Sequence, residues 1–244
     1  MLTHIPTPNQ PVVATSGARS SAADDPLEAI DAIAEITSHG RGENIQRRDH
    51  HAPHFFSRAI RGVARDCALL ADGRRHIIAF LMPGDFFGFT PRDAHQFSVE
   101  AVVDDTVVAH YPLQRVEQMA DANSRLGRRL REMAFDAASR FQARSLILGR
   151  LSALERVGLF LLEMGQRSTD ASGTAILLPM SRYDIADYLG LSSETVCRVL
   201  TDLKDRGAIA FTGAHRVRII DPRALSERDG TGKAVAKRRT AAAA

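Results

Sequence analysis

Residues 179–221 read PMSRYDIADYLGLSSETVCRVLTDLKDRGAIAFTGAHRVRIID and predict two helices joined by a tight turn. The apolar spacing over 181–189 is helical, and Gly190 supplies the turn. Ser192 or Ser193 caps a second helix, because a serine hydroxyl there can accept a hydrogen bond from a free N–H of the first turn. The apolar face of this second helix consists of Val196, Val199, Leu200 and Leu203. Two helices joined by a short turn containing glycine form a helix-turn-helix.

A predicted β-hairpin follows the second helix. Gly207 ends that helix, and the alternating segments 208–211 and 216–220 are joined by a turn at 212–215. A hairpin in this position is the wing of a winged helix-turn-helix. The stretch therefore holds all the parts of such a domain: both helices, the turn between them and the wing.

The polar residues of the second helix are the candidate base-reading groups. Ser193, Glu194, Cys197 and Arg198 lie near its N-terminal end and away from its apolar face. This part of a recognition helix enters the major groove of DNA. An arginine can pair with guanine through two hydrogen bonds, and a carboxylate can accept one from the cytosine amino group. The stretch therefore predicts a sequence-specific protein that binds double-stranded DNA.

Several of these positions have a second interpretation. Glu194 and Arg198 are four residues apart on a helix, which is also the spacing of an ordinary surface ion pair. Ser181 and Arg182 start the first helix, where they either contact DNA phosphates or act locally, the serine as a cap. Arg216 in the wing is a further candidate for a phosphate contact. Such contacts orient a protein on DNA without reading its sequence.

The composition is compatible with DNA binding and excludes several other classes of protein. The 244 residues carry a net charge of +3. Cys67 and Cys197 are too few and too far apart for a disulfide scaffold or a cysteine-built zinc or iron–sulfur site. There is no secretory signal and no apolar run that could span a membrane, so we expect a cytoplasmic protein. No arrangement of nucleophile, base and acid stands out, so no catalytic residue is predicted.

The pattern along the chain predicts an α+β protein. Residues 1–25 are rich in Pro, Ser, Ala and Thr and are interpreted as a disordered arm. Residues 26–112 begin with a short helix at 27–37 and continue as short apolar runs separated by turn signals. The runs are HFFSRAI, VARDCALL, HIIAFLM, FSVEAVV and TVVAHY. Such strands at regular spacing predict an antiparallel β-roll, sandwich or barrel.

A long helix is predicted between the β-rich part and the DNA-binding part. Residues 113–150 carry apolar side chains every three or four positions, as in a coiled coil. This narrow seam predicts pairing with a second copy of the chain. It comprises Leu126, Leu130, Met133 and Ala137, with Phe141 as a further candidate. Residues 151–223 form the DNA-binding domain, which starts with an apolar helix at 151–166. Residues 224–244 form a basic, alanine-rich tail.

Together, the β-rich domain, the long helix and the winged helix-turn-helix resemble the Crp/Fnr superfamily of bacterial transcription regulators. The resemblance covers about 43–221 and rests on LLADGRRHIIAFLMPGDFFGF (69–89), ALERVGLFLLEM (153–164) and DIADYLGLSSETVCRVLTDLKDRGAI (184–209). It implies a jelly roll like that of cyclic-nucleotide-binding domains, a homodimer paired through the long helix, and RNA polymerase as a partner.

Within the superfamily, LPMSRYDIADYLGLSSETVCR looks most like the FixK branch of the Fnr group. Members of this branch carry Glu-x-x-Ser-Arg on the recognition helix and read paired TTGA-type half-sites. Glu194 and Arg198 match that motif, whereas Cys197 replaces the usual serine. The resemblance implies an activator of genes for microaerobic or anaerobic metabolism or for nitrogen fixation.

Three missing motifs bear on regulation. The roll has no Arg-Ser or Arg-Thr after Gly84 and Asp85 to hold a cyclic phosphate, and the four cysteines of an iron–sulfur cluster are absent. No histidine or cysteine has a spacing that singles it out as a haem ligand. We therefore expect a regulator with neither cofactor nor small effector. The alternative is a ligand-responsive member of the superfamily that senses an aromatic acid, haem or nitric oxide.

Cys197 itself has two interpretations. As a near-isostere of serine, its sulfur could contact a thymine methyl group. As a redox switch, its thiol would oxidise readily beside Arg198 and near the positive end of the helix, and the added oxygens would collide with DNA.

Two further clusters carry weaker signals. Asp85, Phe86 and Phe87 follow a Pro-Gly turn, and they either close the end of the roll or, as the resemblance implies, contact RNA polymerase. A histidine cluster has ligand-like spacing and comprises His50, His51 and His54. No carboxylate or cysteine completes a recognisable set with these histidines, so no metal site is predicted.

Overall fold

The computed structural model shows a β-roll followed by two helices and a C-terminal domain. It describes residues 25–46, 55–69, 73, 75–88, 97–167 and 175–225. Within them the strands of the roll are β1 (Glu35–His39), β2 (Asn44–Gln46), β3 (Phe55–Arg61), β4 (Ala64–Leu69), β5 (Arg75–Leu81), β6 (Phe86–Phe87), β7 (Phe97–Ala101) and β8 (Thr106–Pro112). They form two antiparallel sheets, in the orders β1-β8-β3-β6 and β2-β7-β4-β5.

The five apolar runs predicted to be strands are confirmed as β3, β4, β5, β7 and β8. Alternating side chains of these strands form the interior of the roll. Cys67 of β4 is 1% exposed and lies in the hydrophobic cluster that the roll shares with the C-terminal domain. Burial, and secondly the nearby Glu100 carboxylate, raise the pKa of the Cys67 thiol to about 12. A thiol that stays protonated is a poor nucleophile, so Cys67 is chemically inert.

The prediction of a helix at 27–37 is correct for its first turn only and wrong beyond it. α1 (Glu28–Asp31) has only four residues, and β1 begins at Glu35. β1 pairs with β8, whose other edge pairs with β3. Pairing with β8 outweighs the local helical preference, because backbone groups at the edge of the sheet must find partners.

The long helical segment after the roll is interrupted once. The single helix predicted at 113–150 is two helices, α2 (Leu113–Ala122) and α3 (Ser124–Arg150). Asn123 separates them with an extended backbone, and its side chain accepts hydrogen bonds from the N–H groups of Arg125 and Leu126. The break lies here because asparagine is a preferred residue for capping the start of a helix.

The C-terminal domain is a winged helix-turn-helix, as predicted. It contains α4 (Ala153–Arg167), β9 (Ile176–Leu177), α5 (Arg182–Leu189), α6 (Ser193–Asp205), β10 (Ile209–Gly213) and β11 (Arg216–Ile219). α4 packs against α6, which explains its broad apolar face. β9 has no signal in the sequence, and it extends the wing by pairing with β11.

The roll and the C-terminal domain share one hydrophobic core. The ring of Phe80 in β5 lies 6.3 Å from Phe160 of α4 and 5.1 Å from Tyr188 of α5, between centroids. Buried residues of β4 and β5 belong to the same cluster as those of α4, α5 and α6. The helix-turn-helix is therefore packed against the roll.

We expect Gly158 of α4 to tolerate no side chain. A Cβ atom there would lie 2.0 Å from the backbone oxygen of Leu225, which packs across the helix. Gly158→Ala should destabilise the protein by about 1–3 kcal/mol, and the midpoint of thermal unfolding should fall by about 2–4 °C for each kcal/mol. Gly149→Ala in α3 is the control, because nothing lies within 4 Å of its Cβ position. Equal midpoints for the two variants would contradict the prediction.

Candidate DNA-binding surface

The first helix of the helix-turn-helix, α5, begins with a capping box. The Ser181 hydroxyl accepts a hydrogen bond from the Asp184 N–H at 3.1 Å and donates one to Asp184 Oδ2 at 2.7 Å. At the other end of α5, Gly190 adopts φ 62°, a left-handed conformation that favours glycine and turns the chain towards α6. Ser181 therefore has the local capping role that was one of its two interpretations.

The second helix, α6, presents a polar face to solvent. Ser192 caps it and accepts a hydrogen bond from the Thr195 N–H at 3.1 Å. Its predicted apolar face is buried and comprises Val196, Val199, Leu200 and Leu203. The opposite face is exposed and comprises Glu194, Cys197, Arg198 and Thr201. The structure thus brings three of the four predicted base-reading residues onto one accessible surface, with Ser193 half-buried at its edge.

The surface ion pair that was the alternative for Glu194 and Arg198 is not formed. Among the described residues, neither side chain makes an ion pair, whereas Arg206 and Asp202 at the other end of α6 do so at 2.7 Å. Glu194 and Arg198 are consequently available to contact a ligand without breaking an internal salt bridge.

The predicted phosphate contacts flank this face. The Arg182 guanidinium lies 5.6 Å from the ring centroid of Phe211 in the wing. Burial lowers the pKa of Arg182, while the nearby Cys197 thiol acts in the opposite direction. Arg216 is exposed at the start of β11. The two arginines therefore add positive charge at the start of α5 and on the wing.

Two exposed residues beside this surface were missed from the sequence. Tyr183, next to Arg182, is 77% exposed at the start of α5. Arg218 shares the exposed face of β11 with Arg216, because the side chain of Val217 between them is buried. The alternation of polar and apolar residues along β11 was sufficient to predict that Arg218 is exposed beside Arg216. For Tyr183, the sequence offered no signal except its position next to Arg182.

The α3 face predicted for dimerisation is partly covered within one protomer. Leu126 is fully buried, and Leu130 and Met133 are half-buried against the same cluster. The cluster comes from α1, β3, β8 and α2 and comprises Leu27, Ile30, Phe56, Ala109, Tyr111 and Val116. Leu126 therefore cannot contact a partner helix, and the prediction is corrected at that residue. Ala137 is half-buried.

The apolar side chains of α3 that do face solvent lie further along the helix. Phe135 is 72% exposed and Phe141 is 50% exposed. Ala138 lies between them, at helical spacing, and is also exposed. Two large exposed aromatic rings on one helix are unusual for a monomer and are typical of a surface that is buried in an assembly.

The three residues considered for contact with RNA polymerase differ in their exposure. Phe87 is 4% exposed and belongs to the core of the roll, so its ring is not available to a partner. Phe86 is half-buried and stacks on Phe56, with centroids 5.0 Å apart. Asp85 is half-buried and forms an ion pair with Arg167 of α4. Phe87 is therefore part of the roll's core, whereas Asp85 and Phe86 keep a solvent-accessible part.

The described residues contain no group of three or more His, Cys, Asp or Glu side chains that could hold a metal ion. His50, His51 and His54 lie outside the described residues. Among the described helices, none is both long enough and apolar enough to cross a membrane.

Comparisons with known proteins agree with this architecture. A family model of the Crp-like helix-turn-helix domain matches residues 155–228. The chain is 40% identical over 220 residues to the nitrogen fixation regulation protein FixK of Azorhizobium caulinodans, with 87% of each chain covered. It is 36% identical over 225 residues to FixK of Bradyrhizobium diazoefficiens, covering 88% of this chain and 92% of that one.

The solved structure of FixK2 from Bradyrhizobium japonicum has the same fold. It is 36% identical to this chain and superposes with a TM-score of 0.74, covering 82% of this chain and 100% of that one. The similarity extends over the roll as well as the helix-turn-helix, since the shared part is much longer than residues 155–228.

Proposed function

The chain belongs to the FixK branch of the Crp/Fnr superfamily of DNA-binding transcription regulators, and we propose that it activates genes by binding a palindromic TTGA-type site as a homodimer. The genes are those of nitrogen fixation and of microaerobic or anaerobic metabolism. The similarity to nitrogen fixation regulation proteins supports the first of these. It acts in the cytoplasm, together with RNA polymerase and without a cofactor or small effector. It is a regulator and not an enzyme.

The exposed face of α6 is the observation that carries this proposal. Glu194 and Arg198 lie on one accessible surface at the N-terminal part of the helix, and neither is engaged in an ion pair within the described residues. A TTGA half-site offers one guanine, which Arg198 can bind through two hydrogen bonds, and the complementary cytosine, whose amino group can donate to Glu194.

The homodimer is proposed to form through α3, with Phe135, Ala138 and Phe141 at its centre. Phe141 was already a candidate from the sequence, and Phe135 and Ala138 take the place of Leu126, because they face solvent and Leu126 does not. Pairing along α3 places the two recognition helices about 34 Å apart, which is one turn of DNA. A protein with a two-fold axis then requires a palindromic operator.

The test is binding of purified, reduced protein to a TTGAT-N4-ATCAA duplex, with no ligand added and with a scrambled duplex as the control. We expect binding to the palindrome to be at least about 10³-fold tighter at a fixed salt concentration. Equal binding to both duplexes contradicts the proposal. Selectivity that arises only after a small molecule is added supports the ligand-responsive alternative.

Contact with RNA polymerase is proposed at Asp85 and at the accessible part of Phe86. Phe87 is excluded from that contact because its ring is buried in the roll. The Asp85 carboxylate remains partly accessible beside Arg167, so a partner can reach it from solvent.

Oxidation of Cys197 is expected to weaken operator binding by about tenfold or more, because an added negative charge would face the DNA phosphates. Cys197 is exposed between Glu194 and Arg198, whereas Cys67 is buried. The measurement compares the affinity of reduced and peroxide-treated protein for the palindrome. Cys197→Ser is the control and should bind equally well before and after treatment. Unchanged affinity of the oxidised wild-type protein would contradict the redox interpretation.

A further inference from the structure

The contact between the roll and α5 contains charged groups that the DNA-binding surface does not use. Arg65 of β4 reaches Asp184 of α5, with Nη1 2.6 Å from Oδ1. Arg75 of β5 approaches the same oxygen at 3.5 Å. The Asp184 side chain is 8% exposed and that of Arg65 is 16% exposed, so this pair is largely desolvated.

A second link lies one turn further along α5. Asp187 Oδ1 is 3.1 Å from His76 Nδ1 in β5, and Asp187 Oδ2 accepts a hydrogen bond from the Ile77 N–H at 3.2 Å. One helix of the helix-turn-helix is therefore held at two successive acidic residues by two adjacent strands of the roll.

A third link connects α3 with both of these elements. Arg144 of α3 donates to the backbone oxygen of Ile77 at 2.9 Å, and also to those of Ile78 and Tyr188. Its guanidinium lies 3.8 Å from the centroid of the Tyr188 ring. One side chain thus joins the proposed dimer helix, the roll and α5. The roll–helix junction is defined here as Arg65, His76, Arg144, Asp184 and Asp187.

The physical consequence of this junction concerns orientation more than stability. Buried ion pairs contribute little net stability compared with apolar packing, because desolvation offsets their attraction. Moving α5 away would take Asp184 from both arginines, whereas Arg65 and Arg75 would keep their ion pairs with Glu100 of the roll. The cost of an alternative arrangement therefore falls on the Asp184 carboxylate, which would be left without a cationic partner. Of the two helices of the helix-turn-helix, α5 contributes residues to the junction and α6 contributes none of its defined residues, so Glu194, Cys197 and Arg198 on α6 stay exposed while it is formed. The docked arrangement is therefore compatible with DNA binding.

We propose that the roll–helix junction sets the position of each recognition helix in the dimer without an effector, an inference that rests on the proposed function. The junction thereby selects one spacing of the two half-sites. Asp184 and Asp187 are positioning residues in this proposal: they contact the roll and act on DNA only through the orientation of α6. Two recognition helices held in fixed positions can bind half-sites at one spacing only, whereas two loosely tethered helices can bind half-sites at several spacings.

The test uses the full-length variant Arg65→Met/His76→Ala, which changes the roll side of the junction and leaves α5 unaltered. Glu100, the other partner of Arg65, keeps its ion pair with Arg75. Binding is measured to the palindrome, to the same palindrome with two base pairs inserted at its centre, and to a duplex with one half-site. We expect wild-type protein to bind the palindrome about 100-fold or more tightly than the palindrome with two inserted base pairs. For the variant, this ratio of affinities should be less than about tenfold. Binding of the variant to the single half-site should stay within about twofold of wild type, because its base-reading residues are unchanged.

Arg61→Gln is the matched control, because Arg61 is an exposed arginine of β3 that contacts the Asp105 backbone oxygen and not α5. It should keep the wild-type preference. Arg144→Met is a second junction variant that preserves the aliphatic stem, and it should reduce the spacing preference in the same way.

Two results would overturn the junction proposal while the proposed function stands. If both junction variants keep the wild-type spacing preference, the junction does not set the position of the recognition helices. If they lose binding to the single half-site and to both palindromes equally, the junction serves only the stability of the fold. Absence of any selectivity in the wild-type protein contradicts the proposed function itself, and the junction proposal falls with it.

Discussion

Arg198→Ala is expected to weaken binding to the palindrome by about 2–6 kcal/mol, because each half-site loses an arginine–guanine contact worth about 1–3 kcal/mol. This corresponds to a loss of affinity of roughly 30-fold or more. Arg198 is exposed on α6 and makes no ion pair within the described residues, so the substitution removes no internal contact of that kind. Binding to unrelated DNA, which depends on phosphate contacts, should change much less.

The measurement is the affinity for the palindrome, for the palindrome with its guanines replaced, and for a scrambled duplex, all at one salt concentration. Arg206→Ala is the control, because Arg206 follows the last turn of the same helix and pairs with Asp202. We expect Arg206→Ala to change binding to all three duplexes by the same small factor. An equal loss on specific and scrambled DNA for Arg198→Ala would show that Arg198 contacts phosphate and does not read a base.

Phe135→Asp/Phe141→Asp is expected to convert the dimer to a monomer and to weaken binding to the palindrome by about 10²-fold or more, because two linked half-site contacts become independent. The side chains are 72% and 50% exposed in the protomer, so the substitutions leave the fold of one chain intact. In the dimer they would place four carboxylates on a surface proposed to be apolar, which is strongly unfavourable.

The mass in solution is measured by light scattering, alongside affinity for the palindrome and for a single half-site. Ile36→Asp is the control, because Ile36 is 62% exposed on β1, far in the sequence from α3. It should remain a dimer with wild-type affinity. A double variant that remains a dimer would place the interface on another surface of the protein.

The helix-turn-helix and its candidate base-reading residues could be predicted because their signals are local. The cap of α6, its apolar face and the glycine turn at Gly190 involve residues within a few positions of one another. The exposed face of α6 follows directly from the helical period once its buried face is known. The wing was predicted equally well, since it is a hairpin of adjacent strands.

The dimer face shows what periodicity could not supply. Leu126, Leu130 and Met133 have the spacing of a seam, and they do lie on one face of α3. That face is covered by α2, which directly precedes it, and by the protomer's own roll and α1, which are distant in the sequence. A helical period identifies the residues that share a face, but it does not identify what covers them. For the same reason, the helical period did not show that Phe135 and Phe141 stay exposed in the protomer.

The sequence by itself determined the fold class, the order of the roll, the long helical segment and the winged helix-turn-helix, and the surface of α6 that faces solvent, because short-range hydrogen bonding and apolar periodicity specify each of these. Only the tertiary structure decided the end of α1, the buried position of Leu126 and the roll–helix junction. Arg65 and Asp184 are 119 positions apart in the chain, and each is unremarkable where it stands. Their pairing exists because the fold brings β4 and α5 together and largely desolvates both charges there, beside Glu100 and Arg75.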